Sequence, residues 1–254
     1  MLGAIIGDIV GSRWEFSPTN DYNFEWLSED NNSFTDDTIC TVAVADALLH
    51  DKDFGETIHK WCNLFPNPKG GYGGRFKMWV LSGYPVPYNS YGNGSAMRVS
   101  PVAHWFGTMD DVLDAAAATA LPSHNHDEGI KGAQTVALKI ISMSTCYEDA
   151  VRLAVSLGAD ADTLGAIVGS IAEAIWGIPM SQRNEIMDFI PEEMKNVIRD
   201  FYQARRGSFQ PLVDTTYNIN ELGKDENGHV AMHDQERVEK RRLMAERAKA
   251  RITW

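Results

Sequence analysis

Two short acidic runs carry the residues best suited to chemistry in this chain. The first is Phe34-Thr35-Asp36-Asp37-Thr38, followed at once by ICTVAVADALL. The second is Gly158-Ala159-Asp160-Ala161-Asp162-Thr163-Leu164-Gly165, followed by AIVGSIAEA. Each sets carboxylates beside threonine at the head of a stretch of small apolar residues. Two kinds of chemistry fit. Thr and Asp cap a helix by accepting hydrogen bonds from its first N–H groups, and acids there oppose the helix dipole favourably. Alternatively, the carboxylates hold a cation. If the two helix starts converge, Asp36, Asp37, Asp160 and Asp162 meet, and crowded carboxylates raise one another's pKa unless positive charge neutralises them. No Lys or Arg adjoins either run. Carboxylates, threonine hydroxyls and retained waters suit Mg²⁺ or Mn²⁺, and the lack of nearby His and Cys disfavours zinc. The residues alone leave two separate caps and one shared metal site as alternatives.

Either reading needs helices to position the runs. Gly3, Gly7 and Gly11 recur every fourth residue among Leu2, Ile5, Ile6, Ile9 and Val10. That pattern predicts a buried helix with one smooth face for close helix contact. Helical periodicity continues over 36–50, 53–65, 74–82, 95–105, 110–120, 126–143, 147–157, 162–176 and 180–188, and from Pro191 through Tyr202. Residues 17–34, polar and aromatic, read as a long loop. Few stretches alternate with period two. The expected fold is all-α, a single compact helical domain over 1–219. A charged, helix-prone tail over 220–254 is either a solvated terminal helix or a contact for a partner or second subunit. No fixed-period repeat is present.

Composition narrows the class. Apolar residues make up 44% and charged residues 23% of 254, which suits a globular protein with a sizeable core. A formal charge of −12 argues against general nucleic-acid binding or attachment to anionic membranes. Cys40, Cys62 and Cys146 are widely spaced and odd in number, so neither a disulfide framework nor a zinc site is expected, and a cytoplasmic setting is. MLGAIIGDIVG carries Asp8 and no basic leader, unlike a signal peptide. LGAIVGSIAEAIWGI contains Ser170 and Glu173 and falls short of a membrane span.

Three further features have two readings each. Tyr91-Gly92-Asn93-Gly94-Ser95 is a turn with Ser95 as N-cap, or a cradle whose backbone N–H groups meet a diphosphate. His124 is a surface histidine like His126, or a ligand contact. The loop GGYGGRF offers Tyr72 for stacking or ribose contact and Arg75 for charge. Of Trp14, Phe16, Tyr22 and Trp26, most are packing residues, with one available to stack on a base.

GDIVGSRWEF (7–16), FTDDT, YGNGSAMRVSPVA (91–103), Ser123-His124 and GADADTLGAIVGSIAEA (158–174) occur in that order. Together, over residues 1–190, they resemble the ADP-ribosylglycohydrolase family, which includes the dinitrogenase-reductase-activating glycohydrolase and the ADP-ribosyl-acceptor hydrolases. The resemblance implies an all-α fold with two Mg²⁺ (or Mn²⁺) ions in a central cleft. It implies hydrolysis of the glycosidic bond between ADP-ribose and an acceptor: arginine, serine, a nucleobase or a small molecule. By resemblance Thr35, Asp36 and Asp37 bind one ion, Asp160 and Asp162 contribute, Asp162 bridges, and Thr163 completes the second. Glu15 matches the family's acid near the second ion, and Glu15 or Asp36 handles the proton. Asn93, Gly94, Ser95 and His124 face ADP-ribose. Ala159 stands where the family usually has glycine, and Ala161 where it often has threonine; neither change removes a ligand. The alternative is a non-catalytic ADP-ribose reader or structural relative, or an unrelated metal-dependent hydrolase of another ribosyl compound. An oxygen donor at every ligand position favours the enzyme.

Overall fold

A computed structural model describes residues 1–83, 85–106, 109–126 and 144–205. In chain order the helices are α1 (Leu2–Gly11), α2 (Asp36–His50), α3 (Phe54–Leu64), α4 (Gly74–Leu81), α5 (Gly94–Arg98), α6 (Ser100–Trp105) and α7 (Met109–Ala120). They continue with α8 (Tyr147–Val155), α9 (Ala161–Trp176), α10 (Met180–Ile186), a 3₁₀ turn over Met187–Phe189 and α11 (Glu192–Arg205). No strand occurs among the described residues, in keeping with the all-α expectation. The tail over 220–254, the boundary at 219 and nearly all of the helix expected over 126–143 lie outside the described residues.

The helix expected over 95–105 is two helices, α5 and α6, broken at Val99. Pro101 lacks the N–H a continuous helix would need and instead sits in the first turn of α6. The N-cap of α5 is Asn93, not Ser95, and its side chain makes no capping bond.

Every residue of α1 is buried, and α9 runs antiparallel along it. The glycine stripe explains how. Gly3 lies against Gly169, Gly7 against Gly165 and Gly11 against Ala161, each so close that an added methyl would fall on the facing carbonyl. The two backbones touch without intervening side chains. Around this pair Ile5, Ile9, Ile39, Val42, Ile58, Val168, Met194 and Phe201 are fully buried, each worth roughly 1.5–3 kcal/mol of transfer free energy. Glu173 on α9 caps α1, accepting from Gly3 N at 2.8 Å, and the Tyr202 hydroxyl on α11 donates to the same carboxylate at 2.7 Å. Asn32, from the loop, donates to the carbonyls of Ile9 and Val10 at the other end of α1. No helix among the described residues is long and apolar enough to cross a membrane.

Candidate active site

Helix α1 brings the two acidic runs together. At its C-terminal end Gly11 abuts Ala161, so the chain leaving α1 toward Glu15 passes the start of α9. One turn earlier, the fully buried Asp8 grips the start of α2. Its Oδ2 accepts from the N–H groups of Thr35 and Thr38, each at 3.0 Å, and from the Thr38 hydroxyl. Its Oδ1 accepts from the Thr35 hydroxyl at 2.7 Å. Burial nevertheless pushes the Asp8 carboxyl up to about 6. Thr35 is the N-cap of α2, its side chain accepting from Asp37 N at 3.2 Å. The cap reading of FTDDT is therefore correct for Thr35, and the cap leaves Asp36 and Asp37 free to face elsewhere.

They face a cleft of about 520 Å³. Glu15, Asp36, Asp37, Asp160, Asp162 and Thr163 line one side; Arg75, Tyr88, Asn93, Gly94, Arg98 and His124 line the other. The Thr163 hydroxyl donates to Asp37 Oδ2 at 3.2 Å, joining the two runs directly. Asp160 is the N-cap of α9 but makes no capping bond; its carboxylate takes a 2.8 Å bond from Asn93 Nδ2 across the cleft. Thr35 and Ser95 are buried behind the wall and do not line it. Tyr72 lines the cleft with its ring only, because its hydroxyl donates to the carbonyls of Cys62 and Phe65. Of the four aromatics around the 17–34 loop, Phe16 alone lines the cleft, and it is 78% exposed. Trp14 packs on Phe24, Tyr22 donates to Asp149, and Trp26 lies under the Arg152 guanidinium.

The acids are costly as they stand. Burial pushes Asp36 and Glu15 up to about 7, and neighbouring carboxylates, including Asp8 and Asp160, add to the effect. Burial and its contact with Asp160 push Asp162 up to about 10. Burial and the charge of Asp162 hold Asp37 well above the usual carboxylate range. Asp37 Oδ1 and Glu15 Oε2 are buried without a hydrogen-bond partner among the described residues, and an orphaned charged acceptor costs about 1–3 kcal/mol or more. Oxygen-only donors, orphaned anionic atoms and mutual repulsion fit a hard divalent cation. Among the described residues no three His, Cys, Asp or Glu side chains form a ready-made ion cage, so the fit rests on the donor set and its unmet charge.

Comparison with known proteins shows the family and the fold. The sequence profile of the ADP-ribosylglycohydrolases matches residues 1–144 and 140–211. The chain belongs to the ADP-ribosylglycohydrolase family. It is 28% identical over 172 residues to human ADP-ribosylhydrolase ARH3, covering 55% of this chain and 47% of that protein. To the frog (Xenopus tropicalis) ARH3 it is 25% identical over 170 residues, 55% and 48% of the two chains. To YegU of Escherichia coli K12 it is 30% identical over 171 residues, 55% and 51%. The matched segment thus spans about half the length of these curated relatives. A solved structure titled "ADP-ribosylglycohydrolase-related protein complex" superposes with a TM-score of 0.62 at 20% identity, over 80% of this chain and 95% of that one, which is a likeness of fold.

Several residues around this cleft had no sequence signal of their own. Asp8 reads as a stray acid in an apolar helix; its partners lie 27 and 30 residues away. Lys69 is remote from both runs in sequence but folds beside them. Burial lowers its pKa while the charges of Glu15, Asp162 and Asp8 oppose that effect. Gly70, next to it, has φ +75°, and an added methyl would land on Glu15 Oε2. Gly70→Ala is expected to cost about 1 kcal/mol of stability through the positive φ and to displace Glu15. Turnover should then fall to the level of Glu15→Gln, and wild-type turnover in Gly70→Ala would show that Glu15 can move freely.

The carboxylates also set a pH dependence. Unfolded Asp and Glu release their protons near pH 4, whereas folded Glu15 and Asp36 retain theirs to about 7. Between these values the folded state binds more protons, so without a divalent cation stability is expected to fall as pH rises. Mg²⁺ or Mn²⁺ competes with protons for the same oxygens. Its stabilising shift in Tm should be larger at about pH 8 than at about pH 5; equal shifts would exclude these carboxylates as its ligands.

Proposed function

We propose that this chain is a divalent-metal-dependent hydrolase that cleaves the glycosidic bond between ADP-ribose and an acceptor on a protein side chain or small molecule. The observation that carries this reading is the convergence of two acid-bearing helix starts on one cleft, opposite a glycine turn. Asp36, Asp37, Asp160, Asp162 and Thr163 would hold two Mg²⁺ or Mn²⁺ ions from the cleft wall, and Thr35 would reach one of them from behind it. Thr35 Oγ1 keeps one lone pair after its two hydrogen bonds. When bound, the ions would neutralise the acidic wall and polarise the oxygens of ribose and water.

The chain's own groups have separate tasks. Asp8 fixes the first turn of α2, so Asp36 and Asp37 keep their aim. Glu15, on neither helix and with one oxygen unpartnered, is free to accept a proton from an attacking water, as is Asp36. Cleavage passes through an oxocarbenium-like state. Asn93, Gly94 and His124 form the ADP-ribose side, with Ser95 buried behind them, and the backbone of the turn can approach a diphosphate closely. Phe16 and Tyr88 offer faces for the adenine.

The test is hydrolysis of arginine-linked and serine-linked ADP-ribosyl peptides, with Mg²⁺ and with EDTA. Release of ADP-ribose that stops with EDTA supports the reading and names the linkage. Tight ADP-ribose binding without release from any conjugate would make the chain a reader rather than an enzyme.

A further inference from the structure

On the wall facing the acids, a buried guanidinium leads through a serine to the histidine. Arg98 is fully buried, and its Nη2 donates to Thr119 O at 2.8 Å and to Ser123 Oγ at 2.9 Å. Among the described residues its Nε and Nη1 have no hydrogen-bond partner, and no carboxylate pairs with it. Ser123 is also fully buried, and its Oγ lies 2.8 Å from His124 Nδ1. A serine hydroxyl has one hydrogen. Arg98 occupies one of the two lone pairs of Oγ, and among the described residues the other side-chain contact of Oγ is Nδ1, so the hydroxyl hydrogen finds an acceptor there only by pointing at Nδ1. A neutral imidazole that accepts at Nδ1 carries its proton on Nε2. Phe76 and Tyr88 hold the ring, with centroids 6.3 and 6.0 Å away. Nε2 then faces the glycine turn: a methyl on Gly94 would stand 2.8 Å from it, and one on Gly92 3.7 Å.

We infer that Ser123, held by Arg98, is a positioning residue that locks His124 in the Nε2–H tautomer and presents this N–H to an anionic oxygen of the ligand. Burial and the Arg98 charge keep the ring neutral, lowering its pKa to about 3, so the donor persists across physiological pH. The guanidinium polarises the chain Arg98–Ser123–His124 and strengthens its last donor. Arg98 itself borders the cleft, and its charge also favours an anion there. The oxygen in question belongs to a nucleoside diphosphate sugar, which rests on the ADP-ribose reading above.

The tautomer is read directly by long-range ¹⁵N–¹H correlation of the imidazole nitrogens in the free protein, with His124→Gln to assign the signals. The expected spectrum has the proton on Nε2. In Ser123→Ala the proton should move to Nδ1 or exchange between both nitrogens, and ADP-ribose affinity should fall about tenfold. Ser123→Thr, which keeps the hydroxyl, should restore the tautomer and bind within about threefold of wild type. A wild-type ring protonated on Nδ1 overturns the inference, and so does Ser123→Ala with unchanged tautomer and affinity. Should Ser123→Ala fail to fold, the wild-type spectrum still decides the tautomer. Wild-type protein with the Nε2–H tautomer but no affinity for ADP-ribose would overturn the ligand reading and leave the relay standing.

Discussion

Asp36→Asn is expected to lower kcat by about a thousandfold or more, the range typical of removing a catalytic proton acceptor, while the fold survives intact. The two halves of this expectation have different origins. Asp36 is the first residue of α2 and faces the cleft. Asn keeps its shape but cannot take a proton and is a weaker ligand for a hard cation. Stability is another matter. Burial and the charges of Asp8, Glu15 and Asp160 hold the Asp36 carboxyl up near 7, so above that pH its ionised form opposes folding when no cation is present. Asn removes that opposition. In cation-free buffer at about pH 8 the variant should therefore melt at or above the wild-type temperature, and added Mg²⁺ should stabilise it less than wild type. Single-turnover hydrolysis and paired melts with and without Mg²⁺ measure both. Full activity would take Asp36 out of the chemistry. A lower cation-free melting temperature would show that its carboxylate is structural.

Both acidic runs were legible in the sequence because their residues are consecutive and helix starts have local rules. Thr35 caps α2 as the pattern implies. The glycine period was legible as a smooth face, and its counterpart, Gly165 and Gly169, stands four apart in the second helix. What the sequence does not contain is the pairing. That Gly7 meets Gly165 follows only once both helices are placed, and only then do Asp36 and Asp162 face one cleft. Residues whose role is to hold others were the least visible. Asp8 and Arg98 each act through partners more than 20 residues away, and neither sits in a cluster of its own kind. Ser95 shows the opposite error: a good capping residue near the right place, yet the cap falls two residues earlier, at Asn93, and the helix starts at Gly94. Local propensity is a weak prior where a turn is fixed by tertiary contacts.

Gly7→Ala is expected to destabilise the protein by at least about 3 kcal/mol, the upper part of the range for overpacking. Helix propensity alone predicts a gain of about 1 kcal/mol for this change, so the sign itself is informative. An added methyl at Gly7 would fall on Gly165 O and come within 2.9 Å of Ala166 N. These are backbone atoms, with no flexible side chain to give way. Relief requires α1 and α9 to separate along their whole contact, which unseats Gly3 from Gly169 and Gly11 from Ala161 together. Against a total stability of about 5–15 kcal/mol for a domain, Gly7→Val, with two further methyls, should not fold. Gly74→Ala, where nothing lies within 4 Å, should be neutral or slightly stabilising; it separates the contact from a general intolerance of alanine. The two ends of the stripe then separate stability from function. At Gly3 the methyl meets Gly169 and Glu173, far from the cleft; at Gly11 it meets Ala161 and stands 2.7 Å from Asp162 Cα. Both variants should melt early. At a temperature where both remain folded, Gly11→Ala should lose turnover and cation affinity while Gly3→Ala keeps them, because a methyl at the end of the stripe, unlike one at its middle, is relieved by splaying that end alone, and Gly11 is the end that sets the distance between the chain bearing Glu15 and the helix bearing Asp162. Equal losses in the two variants would mean that the helix pair supports the fold without registering the site.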